Sequence, residues 1–137
     1  MRLAVLPALL VLAGCAGTQQ APDAGYRPPA GSNEVLRGDI AAAPGHQLIT
    51  ADIVLPPHGE VPLHYHPGEE FLYILEGSVT LTILGEEPAA LKAGDAVRIP
   101  RTDLHKAKAG PEGLRALASW VVPEGQPVRI QPMQAVP

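Results

Sequence analysis

The sequence predicts an all-β domain, a sandwich or barrel with no crossover helices. Short strand-like runs recur at close intervals, and turn residues, including many of the sixteen prolines, punctuate the gaps between them. The runs are Gln47 to Leu55, Val61 to His66, Glu70 to Leu75, Ser78 to Leu84, Ala89 to Lys92, Ala96 to Ile99 and Leu114 to Val122. Pro67-Gly68, Gly77, Gly85 and Gly94-Asp95 stand between them. Pro100 closes the Ala96 run because it has no N–H to give a ladder.

Residues 1–14 read as a processing segment, with Arg2 as a short positive start and Leu3 to Leu12 as an apolar core too short to span a bilayer. Leu12-Ala13-Gly14-Cys15 resembles a bacterial lipobox, in which cleavage precedes a cysteine that becomes lipid-modified. The alternative is an ordinary secretory leader beside an incidental cysteine. Cys15 is the chain's only cysteine, so an internal disulfide is excluded and lipidation is the favoured reading. Ala16-Gly17 lacks the aspartate that resembles an inner-membrane retention signal, which points to the outer membrane, facing the periplasm.

Residues 15–33 are rich in Ala, Pro, Gly, Gln and Ser and read as a tether holding the domain off the membrane. Residues 34–123 form the domain, long enough for one core, and 124–137 read as a tail with one edge strand at Val128-Arg129-Ile130. With Arg2 removed, nine Lys and Arg face fourteen Asp and Glu, a net charge of −5. Nucleic acid is therefore not an expected partner, since no basic cluster is present.

The residues that carry chemistry are His64, His66 and Glu70, then His105 about forty residues on. Alternate side chains of a strand share a face, so His64 and His66 project together, roughly 6 to 7 Å apart, while Tyr65 points away. Glu70, opening the next strand, can reach both. Taken singly, a His-x-His pair and a Glu after Pro-Gly are ordinary surface residues. Together, three of the five histidines fall on one ligand pattern, which favours a divalent transition metal: Zn, Mn, Fe, Cu or Ni. Glu69 has the opposite strand parity and reads as solvent-facing; His46 reads as a strand-start histidine and His58 as a turn residue.

At these residues the chain resembles the cupins. Their first motif has Gly59, His64, His66, Glu70 and Gly77 as counterparts, with the first spacer one residue short. Their second has Gly94, Pro100 and His105, but Thr102 stands where the family has Gly, and Ala109 where it has Asn. A residue with a Cβ at 102 must tolerate a turn that often uses positive φ. The resemblance covers roughly residues 45 to 122. It implies a small double-stranded β-helix, or jelly-roll barrel, with a mononuclear three-His, one-Glu metal site at one mouth.

On the Glu70 strand, Phe71, Tyr73 and Leu75 share one face and Leu72 and Ile74 the other, so both faces are expected to be covered. The second cover is either the N-terminal strand or a second subunit, and similar single-domain proteins suggest a homodimer. Trp120 belongs either to that outer layer or to the core. The function expected is a metal-dependent enzyme acting on a small organic molecule, of oxidoreductase and dioxygenase type. No separate catalytic base is evident. Alternatives are a non-catalytic protein binding a small ligand or metal, and a metal that only stabilises the fold. The leader has no twin-arginine pair, so metal is acquired outside the cytoplasm, which favours Zn, Mn and Cu over Fe(II).

Overall fold

A computed structural model describes residues 25–132, so Cys15 and the leader lie outside the described residues. Among these residues the chain is all-β, seven antiparallel strands wound into a double-stranded β-helix. The strands are β1 (Gly31–Asp39), β2 (His46–Leu55), β3 (Glu60–His64), β4 (Glu69–Ile83), β5 (Ala89–Lys92), β6 (Ala96–Ile99) and β7 (His105–Pro123).

Two long strands organise the rest. β4 pairs with β7 along most of its length; its other edge takes β6 near the start and β5 near the end. β7 in turn pairs with β3 through His105 to Lys108, and with β2 through Leu114 to Pro123. One strand that changes partner midway curls the sheet, and bulges mark where it bends: between Ile74 and Glu76, and between Gly77 and Val79. Gly77 is required there. Its φ is +73°, and a Cβ would stand 2.1 Å from the Gly113 carbonyl oxygen.

Sequence and structure differ over three strands. Glu70 to Leu75 and Ser78 to Leu84 read as two strands, yet they are one, because Gly77 makes a bulge where a full turn was expected. β7 begins nine residues before Leu114, since the polar, Gly-Pro-containing stretch before Leu114 pairs its backbone with β3 and β4. β1 has no apolar alternation; it is an edge strand held by the β2 ladder and starts at Gly31, within the stretch expected to be tether. Of the two places left open for Trp120, the structure shows the core, where it is 6% exposed beside Ile74, Ala118 and Val122.

Strand parity decides which face is interior. Glu70, Leu72 and Ile74 point inward, whereas Phe71, Tyr73 and Leu75 are exposed and no described element covers them. Among the described residues, the one buried carboxylate outside the ligand set is compensated: Asp52 on β2 receives Arg115 of β7 at 2.8 Å.

Candidate metal centre

Each candidate ligand is delivered by a strand end. His64 closes β3 and stands directly opposite His105, the first residue of β7, so one cross-strand pair brings two imidazoles together from 41 positions apart in sequence. Their ring centroids are 4.2 Å apart. His66 lies just beyond β3, with its centroid 4.9 Å from that of His64 and 5.1 Å from that of His105. Its backbone is fixed on two sides: Thr102 N–H donates to the His66 carbonyl at 2.9 Å, and neighbouring Tyr65 exchanges two hydrogen bonds with Ile130.

Pro67-Gly68 then turns the chain back into β4. Gly68 is packed so tightly on β7 that a Cβ would stand 1.6 Å from the Val121 carbonyl oxygen. Two residues later Glu70 enters the cluster, its Oε2 2.9 Å from His66 Nε2 and 3.4 Å from His105 Nε2. All four side chains are buried.

The hydrogen bonds behind the rings orient them. His64 Nδ1 donates to the Pro62 carbonyl and His105 Nδ1 to the Asp103 carbonyl, each at 2.8 Å and each two residues back in the chain. His66 Nδ1 donates to the Val128 carbonyl. A carbonyl only accepts, so Nδ1 carries a proton in all three and Nε2 is the nitrogen that faces the cluster.

Charge completes the picture. Burial above all pushes His64 down to about 4, against its hydrogen bond to the Pro62 carbonyl, so its Nε2 lone pair is free at neutral pH. Burial would raise Glu70, but the His105 and His66 nitrogens beside it outweigh that and bring it to about 2. Burial likewise opposes a proton on His105, yet the Glu70 carboxylate and the Asp103 carbonyl raise its pKa above the ordinary value.

These residues fit a metal ion. The ligand atoms of His64, His66 and His105 lie within 4.8 Å of one another, and ligands about 2.0–2.1 Å from one ion would sit roughly 3 to 4 Å apart, a small inward ring movement. His66 Nε2, despite its short approach to Glu70, is misaligned for a hydrogen bond and has no such partner. A buried nitrogen without a hydrogen atom to share, aimed at two other imidazoles and a carboxylate, suits coordination.

The residues read as bystanders are so placed. Glu69 faces outward and pairs with Arg98 at 2.6 Å. His58 is exposed in a turn at φ +59°, and His46 begins β2. Thr102 occupies the positive-φ position expected of it, at +68°, and Ala109 is a buried core residue paired with Val79.

The cluster opens into a cavity of about 440 Å³ whose inner wall is largely aliphatic, with Leu72, Val79, Leu81 and Ile99 among its lining. Sequence reasoning missed three contributors: the Val128 carbonyl, Arg129 at the cavity edge, and Trp120, whose ring lies 5.5 Å from that of His66. Trp120 alone carried a signal, since it is two residues past the small, buried Ala118 on the same face as Glu70.

Residues 51–122 match the family model described as "Cupin domain". Among curated proteins the chain is 37% identical over 99 residues to a dimethylsulfoniopropionate lyase, DddW, of Ruegeria pomeroyi, covering 72% of this chain and 49% of that protein. It is 34% identical over 82 residues to germin-like protein 1 of Brassica napus, covering 54% of this chain and 40% of the relative. The chain thus spans less than half the length of either. A solved RmlC-like cupin with a double-stranded β-helix fold, from Methanocaldococcus jannaschii, superposes with a TM-score of 0.55 at 22% identity, over 72% of this chain and 87% of that one.

Proposed function

The chain belongs to the cupin family, and from that premise we propose that it is a metal-binding lipoprotein of the bacterial envelope that converts a small organic molecule. The carrying observation is the buried His64, His66, Glu70 and His105 cluster opening on an apolar cavity. These four residues would hold one divalent transition metal, which when bound supplies Lewis acidity and open positions for substrate or oxygen.

The chain's own part is binding and orientation. The Pro62, Val128 and Asp103 carbonyls fix the three rings, the Glu70 carboxylate neutralises one unit of charge, and aliphatic walls exclude water. Among the described residues, the only titratable side chains lining the cavity apart from the four ligands are the exposed Glu60 and Arg129. That favours oxygen-dependent conversion, where the metal carries the chemistry, over hydrolysis or isomerisation that needs a separate base. The same aliphatic lining is also the observation that favours a second reading, non-catalytic binding of an apolar ligand.

Lipidation of Cys15 and an outer-membrane address facing the periplasm are part of the proposal, supported by Leu12-Ala13-Gly14-Cys15. So is a homodimer, for which the exposed Phe71, Tyr73 and Leu117 offer an apolar face. The test is unbiased metal analysis of the full-length protein, wild type and Cys15→Ser, followed by oxygen uptake and product analysis by mass spectrometry with a panel of small organic substrates that includes dimethylsulfoniopropionate. About one metal per chain and substrate-dependent oxygen uptake are expected, with the lipid mass lost in the variant. Metal without turnover on any substrate selects the binding reading.

A further inference from the structure

Residues 128–130 are built into the site. Val128 packs against the core and its carbonyl accepts a hydrogen bond from His66 Nδ1; Ile130 exchanges hydrogen bonds of 2.9 and 3.0 Å with Tyr65. Arg129 is therefore pinned on both sides, and it lines the cavity that receives the ligand cluster. A residue in a free tail has no fixed direction; this one has.

The charges around the cavity select its occupant. Glu60, the other charged group at the edge, is paired with Lys108 at 2.9 Å, whereas Arg129 has no ion-pair partner among the described residues. A divalent ion held by three neutral imidazoles and one carboxylate leaves one positive charge inside. A buried charge is costly unless neutralised, and a guanidinium at the mouth takes a carboxylate through two parallel hydrogen bonds or steers it inward. The walls between these two positive centres are aliphatic.

We propose that Arg129, held in place by the Val128–Ile130 segment, is the specificity residue of the cavity and selects small carboxylates with an apolar body. The proposal rests on the metal reading above and assigns the substrate class to that site. It is tested on the Co(II)-loaded protein with benzoate as probe and imidazole as a neutral metal-binding control. Binding is followed by the visible Co(II) spectrum and by the fluorescence of Trp120, the only tryptophan.

Arg129→Gln is expected to weaken benzoate about tenfold or more, the range of a charge-assisted hydrogen bond, and Arg129→Lys to restore most of it. Imidazole and Co(II) affinities should stay within about twofold in both variants, because neither probe needs the guanidinium. Added salt should weaken benzoate more in wild type than in Arg129→Gln. Benzoate affinity unchanged by Arg129→Gln overturns the proposal, as does a parallel loss of benzoate and imidazole, which would mean a distorted site. Co(II) binding with no benzoate binding overturns the carboxylate class alone, while failure of Co(II) to bind refutes the metal reading beneath it.

Discussion

His64, His66, Glu70 and His105 are equal in burial but unequal in what their loss does. Removing an imidazole deletes a ligand, so His64→Ala, His66→Ala and His105→Ala should each lower metal per chain strongly; Glu70→Gln should weaken it by removing the cluster's only negative charge. Glu69→Gln loses only an exposed contact to Arg98 and should keep wild-type metal content. Metal analysis on variants checked for folding by circular dichroism decides it, and loss in Glu69→Gln with retention in Glu70→Gln would reverse the β4 register. Thr102 carries a different cost. A β-branched residue at φ +68° is strained, so Thr102→Gly should raise the unfolding free energy by about 0.5–1 kcal/mol, seen as a higher urea midpoint, the relief exceeding glycine's added chain entropy. An unchanged or lowered midpoint would show that the turn holds no strain.

At the scale of elements, what was legible in the sequence is what two-residue periodicity encodes. His64 and His66 share a face, and Glu70 with Leu72 and Ile74 points inward, because alternation in β3 and β4 is a local property. The Gly77 bulge and the early start of β7 were not legible, since both are set by partners distant in sequence. Nor was the role of residues 128–130: a carbonyl oxygen has no residue-type signature, and only the folded chain places Val128 behind His66. Ending the chain after Pro127 should therefore cost metal affinity roughly 10- to 100-fold, the usual effect of removing a partner behind a ligand. Isothermal titration with Zn(II) measures it. Affinity within twofold of wild type would mean that His66 is oriented by packing alone.

For the molecule as a whole, the site couples stability to metal and to pH, with signs that can be worked out. In the metal-free protein, His64 sits near 4 and so resists the proton that the unfolded chain accepts below about 6.5; stability should rise with pH between these values. Glu70, near 2, contributes stability that is present above its unfolded value and lost as pH falls from about 4.5 toward 2. His105 acts in the opposite sense. Its raised pKa adds stability that is full below about 6.5 and disappears as pH climbs through its folded value, when the contact with Glu70 loses its charge. Metal requires all three imidazoles neutral with Nε2 free, so binding must displace the second proton of a charged His105 and should tighten as pH rises until that proton is gone. At a metal concentration a thousandfold above Kd the native state gains about 4 kcal/mol, roughly 15 °C or more in Tm for a domain of this size. The difference in Tm between Zn(II)-loaded and chelated protein should accordingly be small at pH 5 and large at pH 8. Calorimetry at the two pH values measures it, and a difference that is the same at both would mean that the ligands do not exchange a proton for the metal.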